Sequence, residues 1–465
     1  MNKTIILRYI LWIATRLLTA AKYALFARFL DPESIGVWMA ALAVATVSAS
    51  TSNLGIKENL LRKQISAKPI AGVALTVELI AAFLSTLLGL FFIIPICIFF
   101  LKIEISPLLL AGLFYLNFSN VISFPLIDVE ARGKLHYVQL PQFVSEATAI
   151  VFTVLAYFIF HTHLVALYSG GVAGFLSSCL CALIIGNNFP KPIIRFKAVK
   201  SFFLYGLPVA GYFVIASLAT GAITVLLKIF HGAEAAAHFG YVCVVVNLIY
   251  GALSVLESSY YPAFARAAGN ATKLKVLLEE SSLAFAVIGC SLGGFMVLSA
   301  HDIVSLFFGD KWLSIVPLIE ISGFQVTLRV STVYLYGHLA YVNNYTRFMI
   351  RWALQDLLLV LTCGIFLIYN FAEKGAVIYQ IVQGIIMIPL VRLPIINIIT
   401  GNLKVFNIIK IPVLVWLFLL LIFYVYGSFV GVLIGFLFVI SYLILVFALD
   451  SNSRSLLLKY FVNAF

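Results

Sequence analysis

Apolar stretches of about 20 residues recur from Ile5 to Leu449, each long enough to cross a hydrocarbon layer about 30 Å thick. The turns between them are short. With 63% hydrophobic and 10% charged residues and a mean hydropathy of +1.11, no soluble core could hide this much apolar surface from water. The chain reads as an all-α polytopic membrane protein with no room for an extramembrane catalytic domain.

Hydropathy and turn signals place fourteen transmembrane helices, beginning near residues 5, 34, 70, 107, 138, 164, 201, 237, 281, 313, 347, 374, 411 and 430. Alternate connections are basic, among them "RKQISAKP", "NNFPKPIIRFKAVK" and the tail "SNSRSLLLK". With Lys3 included, one set carries 18 Lys and Arg; the other holds five, Arg28, Lys102, Lys228, Lys311 and Lys374. The excess predicts both termini in the cytoplasm, in agreement with an even number of spans. The last two spans require a fold at Gly427 and Ser428; the alternative is twelve spans followed by one long tilted or re-entrant tail.

The first apolar segment, Ile5 to about Leu30, is longer than a signal-peptide core and contains Arg16 and Lys22, so it reads as a retained helix. All six cysteines lie in apolar segments, where a free thiol behaves as a small hydrophobe, and neither a disulfide framework nor a metal site is indicated. The formal charge of +12 is scattered over short loops, which points to membrane topology rather than nucleic acid.

The stretch "LFARFLDPESIGVW", residues 25 to 38, gathers Arg28, Asp31 and Glu33 around a proline inside an otherwise apolar region. Asp31 and Pro32 are suited to stopping one helix and starting the next, with Pro32 in a first helical turn and Glu33 at the positive end of a helix dipole. A weak second copy, "LLKIFHGAEAAAHFGYV", occupies residues 226 to 242, where Glu234 corresponds to Glu33 and Gly240 to Gly36. Each copy opens a six-span block. That predicts two pseudo-symmetric six-helix lobes around a central cavity, the plan of a rocking transporter. The lobes are residues 1–190 and 201–400, joined by a cytoplasmic linker at 191–200 and followed by a hairpin and tail at 401–465. Chance similarity between apolar hairpins is the competing explanation.

An N-terminal helix ending in "ARFLDPESIGVW", followed by a second helix closing with "SNLGIKENLLRKQ", resembles the polysaccharide flippases of the multidrug/oligosaccharidyl-lipid/polysaccharide exporter superfamily, and the Wzx-type O-antigen flippases in particular. The motif covers about residues 16 to 65, and the helix pattern covers the whole chain. The resemblance implies a substrate: an oligosaccharide on undecaprenyl pyrophosphate, moved from the cytoplasmic to the periplasmic leaflet of the bacterial inner membrane. It also implies O-antigen polymerase and chain-length machinery as partners, and a groove for the lipid tail at the final hairpin.

Charges inside spans narrow the candidate site. An Arg or Lys at a helix centre costs about 2.5 to 3.5 kcal/mol on insertion scales, so such residues usually face a bundle interior or an aqueous cavity. Arg16 and Arg329 each lie roughly 16 Å deep, one in each expected lobe. Guanidinium is the best side-chain match for pyrophosphate, and Arg16 and Arg329, helped by Lys22 and Lys57, are the expected substrate-binding cations. Arg16, Lys22 and Arg28 are spaced by six, about 120° apart around one helix, so they cannot all face one cavity. Glu78, Glu146, Glu257 and Asp356 form an acidic layer roughly 9 to 12 Å deep and are candidates for coupling to an H+ or Na+ gradient; the competing role is charge pairing with the intramembrane cations. No cofactor is indicated. Gly206, Pro208 and Gly211 permit a kink and are the candidate hinge. His161 and His163 fall on a periplasmic turn.

Two other function classes remain open. A multidrug exporter of the same superfamily usually places an acid in the first helix, where this chain has Arg16 and Lys22. A membrane enzyme of O-antigen assembly, a polymerase or ligase, generally carries a large periplasmic loop, and every periplasmic connection inferred here spans about ten residues or fewer.

Overall fold

The computed structural model describes residues 3–56, 71–101, 113–121, 135–186, 191–267, 270–332, 346–387, 405–426 and 431–450, with a few isolated positions. Among these there are fourteen α-helices and no strand, and eleven helical segments are long and apolar enough to cross a membrane. The protein is a multi-pass, all-α membrane protein. Its helices group into two compact units, residues 1–240 with 353–361, and residues 241–352 with 362–465.

In the first unit, α1 (Lys3–Phe29) and α2 (Pro32–Thr51) meet at Asp31. The Ser34 amide donates to the Asp31 carboxylate at 2.7 Å, Pro32 takes the first helical position and Glu33 the first turn, so orphan amide groups and the helix dipole are both satisfied. His163 Nδ1 lies 3.2 Å from the other Asp31 oxygen and brings a second turn alongside. Partial burial pushes the Asp31 carboxyl up, but the Ser34 hydrogen bonds and the nearby His163 outweigh it and hold the group below the ordinary carboxylate range.

The third helix, α3 (Ala71–Leu88), runs through a π turn at Gly89–Ile93 into α4 (Ile94–Leu101). Ser48 on α2 donates to the Ser85 carbonyl at 3.0 Å, and the Ser85 hydroxyl donates back to the Ser48 carbonyl, which clasps α2 to α3 in a buried setting. The span expected near 107 begins outside the described residues; what is described there is a short 3-10 turn at Leu113–Phe118. Next come α5 (Leu135–Phe160) and α6 (His163–Gly186), which pack closely because α6 offers Gly170 and Gly174 to α5: a Cβ at Gly170 would strike Thr153, and one at Gly174 would meet the Ser145 carbonyl.

The long helix α7 (Phe196–His231) lies against α2, with the Ser50 and Ser217 hydroxyls in hydrogen-bond contact. It is continuous through Pro208; Gly206 is buried against Leu54, whereas Gly211 faces open space. After Gly232 comes α8 (Ala233–Ala267). A Cβ at Gly36 would fall on the Ala233 carbonyl, and one at Gly240 would meet Met39 at 3.0 Å, so each of the aligned glycines lies where α2 and the start of α8 pack closely.

The second unit is organised on α9 (Ala271–Ile303), which continues through a π turn at Val304–Phe308 and a 3-10 turn at Asp310–Ile315 into α10 (Val316–Thr332). Gly293 on α9 and Gly323 on α10 let the two backbones approach. Tyr241 anchors the return, its ring 4.9 Å from Phe308 and 4.3 Å from Trp312. Then follow α11 (Thr346–Leu359), a third π turn at Val360–Gly364 and α12 (Ile365–Met387). A break at Ala372, with φ 50° and ψ −131°, divides α12 and accounts for the helix start expected near 374.

The last two helices, α13 (Val405–Tyr426) and α14 (Val432–Leu449), pack on α9 through Cys290, Trp416, Leu419, Phe438 and Tyr442. The Val432 amide donates to Asp302 Oδ2 at 2.8 Å, so a carboxylate on α9 caps α14. The C-terminal segment is therefore a pair of helices and not one long tail.

Candidate functional site

Polar side chains on α1 set the first part of the site. Thr15 and Thr19 donate their hydroxyls to the carbonyls four residues back, at 2.7 and 2.9 Å, and so leave no hydroxyl donor for the charges beside them. Arg16 stands over the Trp12 ring with Cζ 5.5 Å from its centroid, one helical turn away. Its Nε is buried and has no hydrogen-bond partner, and no carboxylate pairs with the guanidinium among the described residues.

Lys22 behaves differently. Its Nζ contacts Glu146 Oε2 on α5 at 2.5 Å, and both side chains are only 16% exposed. This is a half-buried ion pair locking α1 to α5, with the Tyr23 ring 5.1 Å from the ammonium. The spacing of six residues has the consequence expected: Arg16 and Lys22 leave the helix in different directions and meet different surroundings. Lys22 and Glu146, expected as a substrate cation and a coupling carboxylate, are each other's partners.

In the second unit Arg329, in the last turn of α10, sits with Cζ 5.2 Å above the Tyr250 ring of α8. The Cys243 thiol, hydrogen-bonded to Gln380 of α12, lies near the same guanidinium. Arg329 is exposed within its unit and, like Arg16, has no carboxylate partner among the described residues. A cation–π contact contributes about 0.5 to 2 kcal/mol. At the depth expected of both from the sequence, the cost of an arginine is larger, about 2.5 to 3.5 kcal/mol. The rings orient these two cations without neutralising them.

Among the remaining carboxylates, Glu78 is buried on α3 at 4% exposure and Asp356 is half-buried on α11. Lys57 and the side chain of Glu257 lie outside the described residues. The aromatic seats were not anticipated. Trp12 was readable in principle, four residues before Arg16; Tyr250 is 79 positions from Arg329, and no local periodicity could have joined them.

A family model described as "Polysaccharide biosynthesis protein" matches residues 25–317, well over half of the chain. The chain belongs to that family. No curated protein matches its sequence significantly. Among solved structures, this polysaccharide biosynthesis protein is similar to the lipid II flippase MurJ in an inward closed conformation, at TM-score 0.72 and 14% identity, over 95% of this chain and 98% of that one. It is also similar to an inward-facing multidrug resistance MATE family transporter of the MOP superfamily, at TM-score 0.63 and 15% identity, over 84% and 98%. A MOP superfamily transporter from Pyrococcus furiosus, described by the reverse polarity of its binding pocket, aligns at TM-score 0.56 and 15% identity, over 85% and 96%. At these identities the likeness establishes a fold shared with those proteins.

Proposed function

We propose that the protein is a flippase that carries an undecaprenyl-pyrophosphate-linked O-antigen oligosaccharide from the cytoplasmic to the periplasmic leaflet of the inner membrane by alternating access. The observation that carries this reading is the pair of intramembrane arginines, Arg16 and Arg329, each seated on an aromatic ring and neither neutralised by a carboxylate among the described residues. A pyrophosphate supplies the missing charge and accepts from a guanidinium fork. The family match supports a polysaccharide substrate, and the MurJ-like fold supports a lipid-linked one.

A multidrug exporter is the second reading, because MATE transporters share the fold. Unpaired cations favour an anionic cargo over cationic drugs. In the flippase reading, Gly206, Pro208 and Gly211 supply the hinge, and Glu78, Glu146, Glu257 and Asp356 are the candidates for coupling, with Glu146 in contact with Lys22.

The test uses the full chain in vesicles containing a fluorescent polyprenyl-diphosphate oligosaccharide. Arg16→Ala and Arg329→Ala should each lower the flipping rate by about tenfold or more, the loss of one charge-assisted contact of about 1.5 to 3 kcal/mol, with normal insertion. Arg16→Lys should recover only part, since an ammonium lacks the planar fork. Full-rate flipping by both Ala variants, or transport of cationic dyes in place of the lipid, would overturn the proposal.

A further inference from the structure

The segment joining α6 to α7 carries an exposed patch that the transport reading does not use. In residues 191–200, "KPIIRFKAVK", the side chains of Lys191, Arg195, Lys197 and Lys200 are exposed, and none has an ion-pair partner among the described residues. No Asp or Glu occurs between Glu146 and Glu234, so the chain brings no local counter-charge to this patch. Between the cations stand two large apolar side chains, Ile194 at 81% and Phe196 at 80% exposure.

This exposure is held in place. The Ile193 amide donates to the Gly72 carbonyl at 3.1 Å, and the Thr76 hydroxyl donates to the Ile193 carbonyl at 3.1 Å, which fastens the strand-like segment to the start of α3. With Ile193 tied down by its backbone, Ile194 and Phe196 point away from the unit. Farther along α7, Leu204 and Leu207 are 64% and 65% exposed. At 100° per residue, Phe196, Lys200, Leu204 and Leu207 fall within one sector of about 80°, so a single outward face passes from cation to hydrocarbon within about two turns, or 11 Å. That profile matches the step from lipid headgroups to acyl chains, and leaving Ile194 and Phe196 in water would forfeit apolar burial that a membrane surface supplies.

We infer that residues 191–200 form a docking surface for anionic phospholipid headgroups, in which Lys191, Arg195, Lys197 and Lys200 bind the phosphates while Ile194 and Phe196 enter the interface between them. Dissolved phosphate or a soluble polyanion would satisfy the cations and leave the two apolar side chains exposed, so the lipid surface is the occupant that accounts for both.

The experiment places the full chain in phosphatidylcholine vesicles doped with either dibrominated phosphatidylglycerol or dibrominated phosphatidylcholine, and follows the emission that Phe196→Trp adds to the native chain. Quenching of the added emission by the brominated phosphatidylglycerol should reflect local enrichment of about fivefold or more over phosphatidylcholine, since each cation near a surface contributes a factor of that order. Replacing Lys191, Arg195, Lys197 and Lys200 together by Gln should abolish the preference while leaving quenching by both lipids. Replacing Lys273 and Lys275 by Gln, in the first turns of α9, should leave it intact. Equal quenching by the two lipids in the native-charge chain would reduce the patch to ordinary lipid contact and overturn the proposal. Absence of quenching would do the same, as would loss of the preference on adding inorganic phosphate in the presence of matched ionic strength. Because flipping is not the readout, failure here is separable from failure of the transport reading.

Discussion

Lys22 and Glu146 show how a charge becomes affordable inside a span. Alone, each would be an isolated ion in a low-dielectric setting; together, at 2.5 Å and 16% exposure, they are a single dipolar unit between α1 and α5. Removing one partner leaves the other stranded. Lys22→Met or Glu146→Gln should therefore destabilise the protein by on the order of 3 kcal/mol, whereas Lys22→Met with Glu146→Met should return most of it. Thermal unfolding in detergent across this double-mutant cycle measures the coupling, and additive losses would show that the pair contributes nothing. Arg16, six positions earlier on the same helix, has the opposite character: the ring of Trp12 holds it, and among the described residues no acid pairs with it. The sequence marked both residues as unusual, because mid-span charge is visible in a string. It could not separate them, since the carboxylate that engages Lys22 is 124 positions away.

Helix boundaries were the most legible part, because their determinants are local. Asp31, Pro32 and Glu33 were assigned to a helix start from their identities, and the Ser34 amide bond bears this out. Asp31→Ala should cost about 1 kcal/mol, read as a lowered unfolding midpoint. The Asp31 carboxyl is held below its ordinary range when folded, so its contribution is fully present above the ordinary carboxylate value and is lost as pH falls through the lowered one; the midpoint difference between native and Ala chains should be constant through neutral pH and shrink only in that acidic window. Elements fixed by remote packing were less legible. Ala372 interrupts α12 at a positive φ, a conformation that costs a residue bearing a Cβ but not glycine. Ala372→Gly should stabilise the protein by about 1 kcal/mol, and destabilisation would mean that the methyl group earns its place by packing. Asp302, which caps α14 from 130 positions away, gave no local sign of that task.

At the scale of the molecule, hydropathy period and charge alternation specified a multi-pass helical protein without any reference to contacts, because the bilayer and not the fold imposes the length of each span. The carboxylates bear on energetics at the same scale. If coupling runs through Glu78, Glu257 or Asp356, flipping in vesicles should accelerate when an inward or outward H+ or Na+ gradient is imposed, and Glu78→Gln, Glu257→Gln or Asp356→Asn should remove the acceleration. A rate indifferent to both gradients in the native chain would exclude coupling and leave substrate concentration as the driving force.

The π turns at Gly89–Ile93, Val304–Phe308 and Val360–Gly364 have a consequence for how this chain tolerates change in length. Each closes hydrogen bonds over five residues where an α-helix uses four, so each stores one residue beyond what its span requires. Deleting a single residue at such a place restores a continuous α-helix, and everything downstream keeps nearly the face it had, because the turn had already absorbed the extra residue. Within Val304–Phe308, Trp312 would therefore stay against Tyr241, which it now faces at 4.3 Å, so a deletion there should move the unfolding midpoint far less than a deletion in the regular part of α9, which turns everything downstream by about 100°. The spare residue is a take-up device: it absorbs the extra length, so that the same side of the next element meets the core.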